Sequence, residues 1–191
     1  MILKDGMLLY HGSYTTIEEI SLDMCTKGKD FGKGFYLTSD VNQARSFVKT
    51  SLRKAKRLGQ APEDQNYGYI SSFRYHKPDN DIRVHIFDKA DKEWLCFISQ
   101  NRREKLAEVL SGKIDSSIST SDIIVGKIAN DTTNPVITAY LNGLYGDILS
   151  DEAISFAIKQ LMPEHLIDQY CFLTKNAIDC LEFQEARKHV I

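Results

Sequence analysis

Asp30-Phe31-Gly32-Lys33-Gly34-Phe35-Tyr36-Leu37-Thr38 is the stretch on which the fold turns. Its first half continues a glycine-punctuated loop that begins at Lys27-Gly28-Lys29, and Phe35 to Thr38 has strand composition. Ser39 or Asp40 then suits an N-cap, opening a helix through Ala44, Phe47 and Val48. That helix continues through Lys49, Arg53, Lys54, Lys56 and Arg57, a basic face that reads as solvated. Upstream, Met7-Leu8-Leu9-Tyr10 is a short apolar run that predicts a buried strand, stopped by a turn at His11-Gly12-Ser13.

Downstream, Gln60 to Asn66 is a polar break. Tyr67 to Tyr75 and Ile82 to Phe87 predict two strands joined around Pro78-Asp79-Asn80-Asp81. Trp94, Phe97 and Ile98 sit at helical spacing within 92–103, and Ile123 to Gly126 predicts another buried strand. Pro135 starts a helix through Ile137 and Leu141; Asp151 caps a second through Leu161, stopped by Pro163. Tyr170 to Thr174 predicts a late strand, and Asn176 to His189 a closing helix. Short strands mixed irregularly with helices indicate an α+β class, not a βαβ alternation.

Composition bounds the rest. The chain has 191 residues, 42% hydrophobic and 26% charged, with 11 Gly and 4 Pro, which fits one domain over 1–191 and excludes disorder and collagen-like repeats. A chain of this length buries roughly 70% of the surface it exposes unfolded. With 24 basic and 26 acidic residues the net charge is −2, against a dedicated nucleic-acid coat. No run of 18 apolar residues suggests a membrane span, and Met1 to Tyr10 does not read as a signal peptide, so the expected compartment is the cytoplasm. Cys25, Cys96, Cys171 and Cys180 lack metal-finger spacing and are expected to be reduced and mostly buried.

Common motifs fail one by one. Only three residues separate Gly28 from Gly32, and Gly34 stands where a Walker loop needs its hydroxyl. Gly32-x-Gly34 lacks the third glycine of a dinucleotide fingerprint and runs into a strand. His11, His76, His85, His165 and His189 never pair at i, i+4, so no metal site is expected. A Gly-x-Ser-x-Gly elbow is absent.

What remains is three segments: Tyr10-His11-Gly12-Ser13, the block at 30–38, and Asp168-Gln169-Tyr170-Cys171-Phe172. Here the sequence resembles the ADP-ribosyltransferases of the His-Tyr-Glu type, shared by diphtheria-like toxins and the poly(ADP-ribose) polymerases. Taken whole, it is similar to a bacterial family of small ADP-ribosyltransferase-like proteins, with matches also at Trp94 to Ile98 and at Gly126 to Asp131. The resemblance implies a split β-sheet that clamps NAD in a cleft, with no metal. It implies that His11 bonds the adenosine ribose, that the backbone of Gly12 pairs with the nicotinamide carboxamide, and that Tyr36 stacks on the nicotinamide. It also implies a second aromatic wall from Phe47, a ribose contact from Ser13, and a place for Gly34 in the NAD-binding loop. An aromatic face suits a planar cationic ring.

Gln169 departs from the pattern, standing where the resemblance implies a catalytic glutamate. An amide still donates and accepts hydrogen bonds but cannot act as a general base. The loss is about 1 to 3 kcal/mol, or about 10- to 100-fold in rate. Glu164 and Glu182 are the fallback carboxylates near the late strand. The resemblance therefore implies an NAD-dependent mono-ADP-ribosyltransferase acting on a protein or nucleic-acid target, a bacterial toxin or defence effector with a small antitoxin partner. The alternatives are an NAD glycohydrolase and a non-catalytic NAD or ADP-ribose binding module. Removal of phosphate from RNA ends fits poorly, because enzymes of that kind replace the stacking tyrosine with histidine.

Overall fold

A computed structural model describes residues 2–79, 81–128, 133–162 and 166–191, with the backbone alone at Ser111. The protein is α+β. Strands β1 (Leu8–Ser13), β2 (Phe35–Thr38), β3 (Tyr67–Tyr75), β4 (Val84–Ile86), β5 (Ile123–Lys127), β6 (Asp168–Phe172) and β7 (Leu181–Val190) form one sheet in the order β4-β5-β6-β2-β1-β3-β7. The β4–β5 pair is parallel and the other neighbours are antiparallel. The helices are α1 (Val41–Arg57), α2 (Lys92–Arg102), α3 (Ala107–Leu110), α4 (Asn134–Leu141), α5 (Asp151–Leu161) and α6 (Lys175–Ile178).

Alternation along the strands assigns side chains to two faces. Tyr36, Thr38, Gln169, Cys171, Ile124 and Gly126 stand opposite one another in register and so share a face. Trp94, Leu95 and Ile98 of α2, Ile137 and Tyr140 of α4, and Ile154 and Ala157 of α5 pack with Ile124 and Cys171 there. Tyr10 stands opposite Thr38, so the same face continues onto β1 and β3, where Ala44 and Val48 of α1 pack on Ile70. The other face carries Leu9, Phe35, Leu37, Phe73, Val125, Tyr170 and Phe172, closed by Ala177 and Cys180.

Local chemistry explains most boundaries. Asp40 caps α1, its Oδ1 accepting from Asn42 N at 2.7 Å, and buried Ala44, Val48, Leu52 and Ala55 form one stripe at helical spacing. Pro135 lies in the first turn of α4. Four expectations change. The strand expected to stop at His11-Gly12-Ser13 continues through those residues, because each pairs with β3. The strands at 67–75 and 82–87 are not partners: β3 lies between β1 and β7, while β4 is the opposite edge. Ser150, not Asp151, caps α5, its Oγ accepting from Ala153 N at 3.1 Å. The helix expected over 176–189 is only α6; the rest is β7, a ten-residue strand that takes up the free edge of β3. The stop assigned to Pro163 lies outside the described residues. The cysteines are free, with Cys96, Cys171 and Cys180 buried and Cys25 half-buried.

Candidate active site between β1 and β2

β1 and β2 meet in register at Tyr10–Thr38 alone among the described residues. Tyr75 N donates to Met7 O at 2.9 Å, so the odd-numbered residues of β1 bond toward β3 and the even-numbered ones toward β2. The backbone N–H and C=O of Gly12 therefore point at β2, yet no ladder rung joins Gly12 to Tyr36 among the described residues. The ladder between the two strands stops at the Tyr10–Thr38 rung among the described residues, and the next link is made by the side chain of His11. Its Nδ1 lies 2.9 Å from Tyr36 O, and its ring stacks on Phe35 at 4.7 Å between centroids. A carbonyl only accepts, so Nδ1 carries the proton and Nε2 is left as an acceptor in the neutral ring. Burial lowers the His11 pKa, against a smaller raising effect from the Tyr36 carbonyl, which favours that neutral form.

Tyr36 follows Phe35 in the strand, so its ring turns to the opposite face from His11. Its hydroxyl donates to Gly32 O at 2.8 Å and accepts from Phe31 N at 2.9 Å. Both bonds close the glycine loop onto the ring and leave it fixed as a platform. Burial, with smaller contributions from Cys171 and Asp30, raises the Tyr36 pKa far above the usual phenol range, so the hydroxyl stays protonated.

Gly12 lies beneath α1: a Cβ there would stand 2.0 Å from Ala44 O and 3.0 Å from Val48 N. The helix thus requires glycine at this position independently of any ligand. Phe47, one residue before Val48, is 38% exposed beside this crossing. Ser13 is buried, with its Oγ near Thr15 N at 3.5 Å. Gly34 is needed for packing, since a Cβ would meet Cys171 Sγ at 2.6 Å and Phe172 O at 2.8 Å.

Gln169, on β6 beside Thr38, is buried. Its Nε2 donates to Asp30 Oδ2 at 3.3 Å and to Lys127 O at 3.3 Å. Asp30 Oδ1 accepts from Arg102 Nε at 2.7 Å, and Asp30 O accepts from Asn101 Nδ2 at 3.0 Å. Lys127 Nζ donates to Asp168 Oδ1 at 2.7 Å and to Leu166 O at 2.9 Å. This polar cluster escaped the sequence reading. Asp30 opens the diagnostic block, but only the contact across 72 positions to the end of α2 marks it.

The structure thus brings the backbones of His11, Gly12 and Tyr36 together across the β1–β2 junction, sets the rings of His11 and Tyr36 on opposite faces of the sheet, and places Gln169 two strands from β1. Glu182 sits on the β7 edge, with β2, β1 and β3 between it and β6, and it bonds His76 Nε2 at 2.9 Å. Glu164 and part of the 126–131 match lie outside the described residues. Of two cavities of about 330 and 340 Å³, one is lined by His76, Pro78 and Asp179, and the other by Lys27, Gly32, Lys33 and Asn101, beside the loop that holds the Tyr36 hydroxyl. Among the described residues no helix is long and apolar enough to cross a membrane. A family model described as "Protein of unknown function (DUF3990)" matches residues 7–183, and the chain belongs to that family. No curated protein matches it.

Proposed function

We propose that this DUF3990 protein is an NAD-dependent mono-ADP-ribosyltransferase whose cleft is the opening between β1 and β2. The observation that carries the proposal is the missing rung between Gly12 and Tyr36. It leaves a backbone donor and acceptor side by side beneath α1, the pattern a primary carboxamide matches. The remaining groups suit the same substrate. Tyr36 offers a ring held by two hydrogen bonds, and Phe47 an exposed ring on the covering helix. His11 Nε2 is an acceptor suited to a ribose hydroxyl. Gln169 supplies an amide where charge develops on the nicotinamide ribose, and it supplies no base. The acceptor therefore brings its own activated nucleophile, which favours transfer of a single ADP-ribose over chain growth.

In this proposal the target is a macromolecule, and the protein acts as a cytoplasmic toxin or defence effector restrained by a small antitoxin. The test is nicotinamide release from labelled NAD by the purified protein, with and without cell lysate, beside Tyr36→Ala. The expected result is release that requires lysate and labels a protein or RNA band, lost in Tyr36→Ala. Release without lysate or labelling would make the protein a glycohydrolase. NAD binding without release would make it a binding module. Growth arrest on expression, relieved by His11→Ala, is the expected cellular counterpart.

A further inference from the structure

The surroundings of residue 169 are matched to an amide and hostile to a carboxylate. Both groups within reach of Gln169 Nε2 are acceptors, the Asp30 carboxylate and the Lys127 carbonyl. They use both amide hydrogens, so the nitrogen faces them and the oxygen turns away. Among the described residues no donor meets that Oε1. A glutamate here would set one carboxylate against another and against a carbonyl, with no proton between them. Asp30 in turn is fixed: Arg102 Nε holds its other oxygen, and Arg102 Nη1 donates to Asn134 Oδ1 at 2.8 Å at the start of α4. Asp30 and Gln169 are 8% and 4% exposed, so water does little to screen the contact.

We infer that Asp30, anchored by Arg102, is a positioning residue that locks the Gln169 amide with its oxygen presented away from the cluster, so that the site is built around a neutral acceptor at 169. The inference rests on the NAD reading only for what Oε1 touches, the ribose hydroxyl; the lock itself does not depend on it. Glutamine at 169 is then no decayed glutamate.

The test is an exchange of donor and acceptor. In Gln169→Glu, acceptor faces acceptor. In Asp30→Asn, the new amide faces donors on both sides, Gln169 Nε2 and Arg102 Nε, and can satisfy only one. In the double variant the introduced amide at position 30 accepts from Arg102 through its oxygen. Its nitrogen donates to the introduced carboxylate at position 169, and the net charge of the trio is unchanged. Melting temperature and the kcat and KM for nicotinamide release are measured for all four proteins.

Each single variant is expected to melt below the wild type, and the double to recover at least half of the larger loss. In Gln169→Glu, kcat is expected to fall about tenfold with KM nearly unchanged, and to recover in the double variant. Additive losses of melting temperature in the double variant would overturn the lock. So would a Gln169→Glu protein that releases nicotinamide faster than the wild type. If the wild type releases none even with lysate present, the transferase reading fails, and the melting-temperature cycle still decides the lock by the same criterion. Should the variants not fold, the wild-type Gln169 side-chain amide decides it by NMR: slow solvent exchange of both its protons supports the lock, and exchange as fast as that of an exposed glutamine overturns it.

Discussion

On one side of the Tyr10–Thr38 rung, β1, β3 and β7 form an antiparallel ribbon covered by α1; on the other, β2, β6, β5 and β4 carry α2, α4 and α5. The first half brings backbone to the opening, because Gly12 has nothing beyond Cα and its peptide groups point across the gap. The second brings side chains: Tyr36 pinned by its hydroxyl, Gln169 pinned by Asp30, and Arg102 reaching in from the end of α2. Strands of the same pleat thus present two kinds of hydrogen-bonding surface, one set by chain path and the other by partners distant in sequence.

If that contrast holds, the side-chain half is broken most severely by removing its anchor. Arg102→Ala deletes the Nε donor at 2.7 Å from a carboxylate that is only 8% exposed. The expected loss is about 3 kcal/mol in chemical denaturation, since a mostly buried charge loses its counter-ion. A loss below about 1 kcal/mol, the range of surface pairs, would show that the cluster is solvated in solution.

The glycines sharpen the contrast next. At Gly12 a Cβ would stand 2.0 Å from the carbonyl oxygen of Ala44, a backbone atom of a seventeen-residue helix. At Gly126 it would meet Phe31 Cζ at 2.6 Å, a side-chain atom that a tilt of the whole ring about χ1, not a ring flip, can move away. Gly12→Ala is therefore expected to cost about 3 kcal/mol, and Gly126→Ala about 1 kcal/mol. Equal losses would mean that α1 is as free to shift as the phenyl ring.

The sequence made the second half's local elements legible and hid its long-range partners. β2 and the Asp40 cap could be read from Phe35 to Asp40 because strand composition and cap chemistry are local. β7 was misread because Leu181, Glu182, Gln184, Glu185, Ala186, Arg187 and Lys188 favour helix, and only the free edge of β3 makes them a strand. The strand through His11-Gly12-Ser13 was hidden for a related reason: glycine and serine suggest a turn, whereas pairing with Ser71, Ile70 and Tyr69 keeps them extended. Of the site, His11, Gly12, Tyr36 and Gln169 carried a motif. Asp30 with Arg102 carried none, because contacts across 72 positions leave no periodic trace.

A milder change separates the platform from its fastening. Tyr36→Phe keeps the ring and removes both the bond to Gly32 O and the one from Phe31 N. The expected cost is about 1 to 2 kcal/mol of stability. NAD affinity, measured by calorimetric titration, is expected to fall less than in Tyr36→Ala. Equal losses of affinity would assign the role to the hydroxyl and not to the ring.

Acid titration probes the two halves with the smallest expected effect. Burial lowers the pKa of His11 at the opening and of His85 on β4. At His85 the carboxylates of Glu93, Asp115 and Asp88 oppose that shift; at His11 only the Tyr36 carbonyl does. A histidine with a lowered folded-state pKa binds its proton more readily when unfolded. Its contribution to stability is therefore complete above the unfolded pKa of about 6.5 and is lost as the pH falls from there through the folded value. Melting temperature followed from pH 8 to pH 5 is expected to fall less steeply in His11→Asn than in the wild type. His85→Asn is expected to flatten the curve less, because its acidic neighbours already stabilise the imidazolium. A steeper contribution from His85 than from His11 would mean that the opening between β1 and β2 is hydrated, and that His11 meets water rather than the face of Phe35.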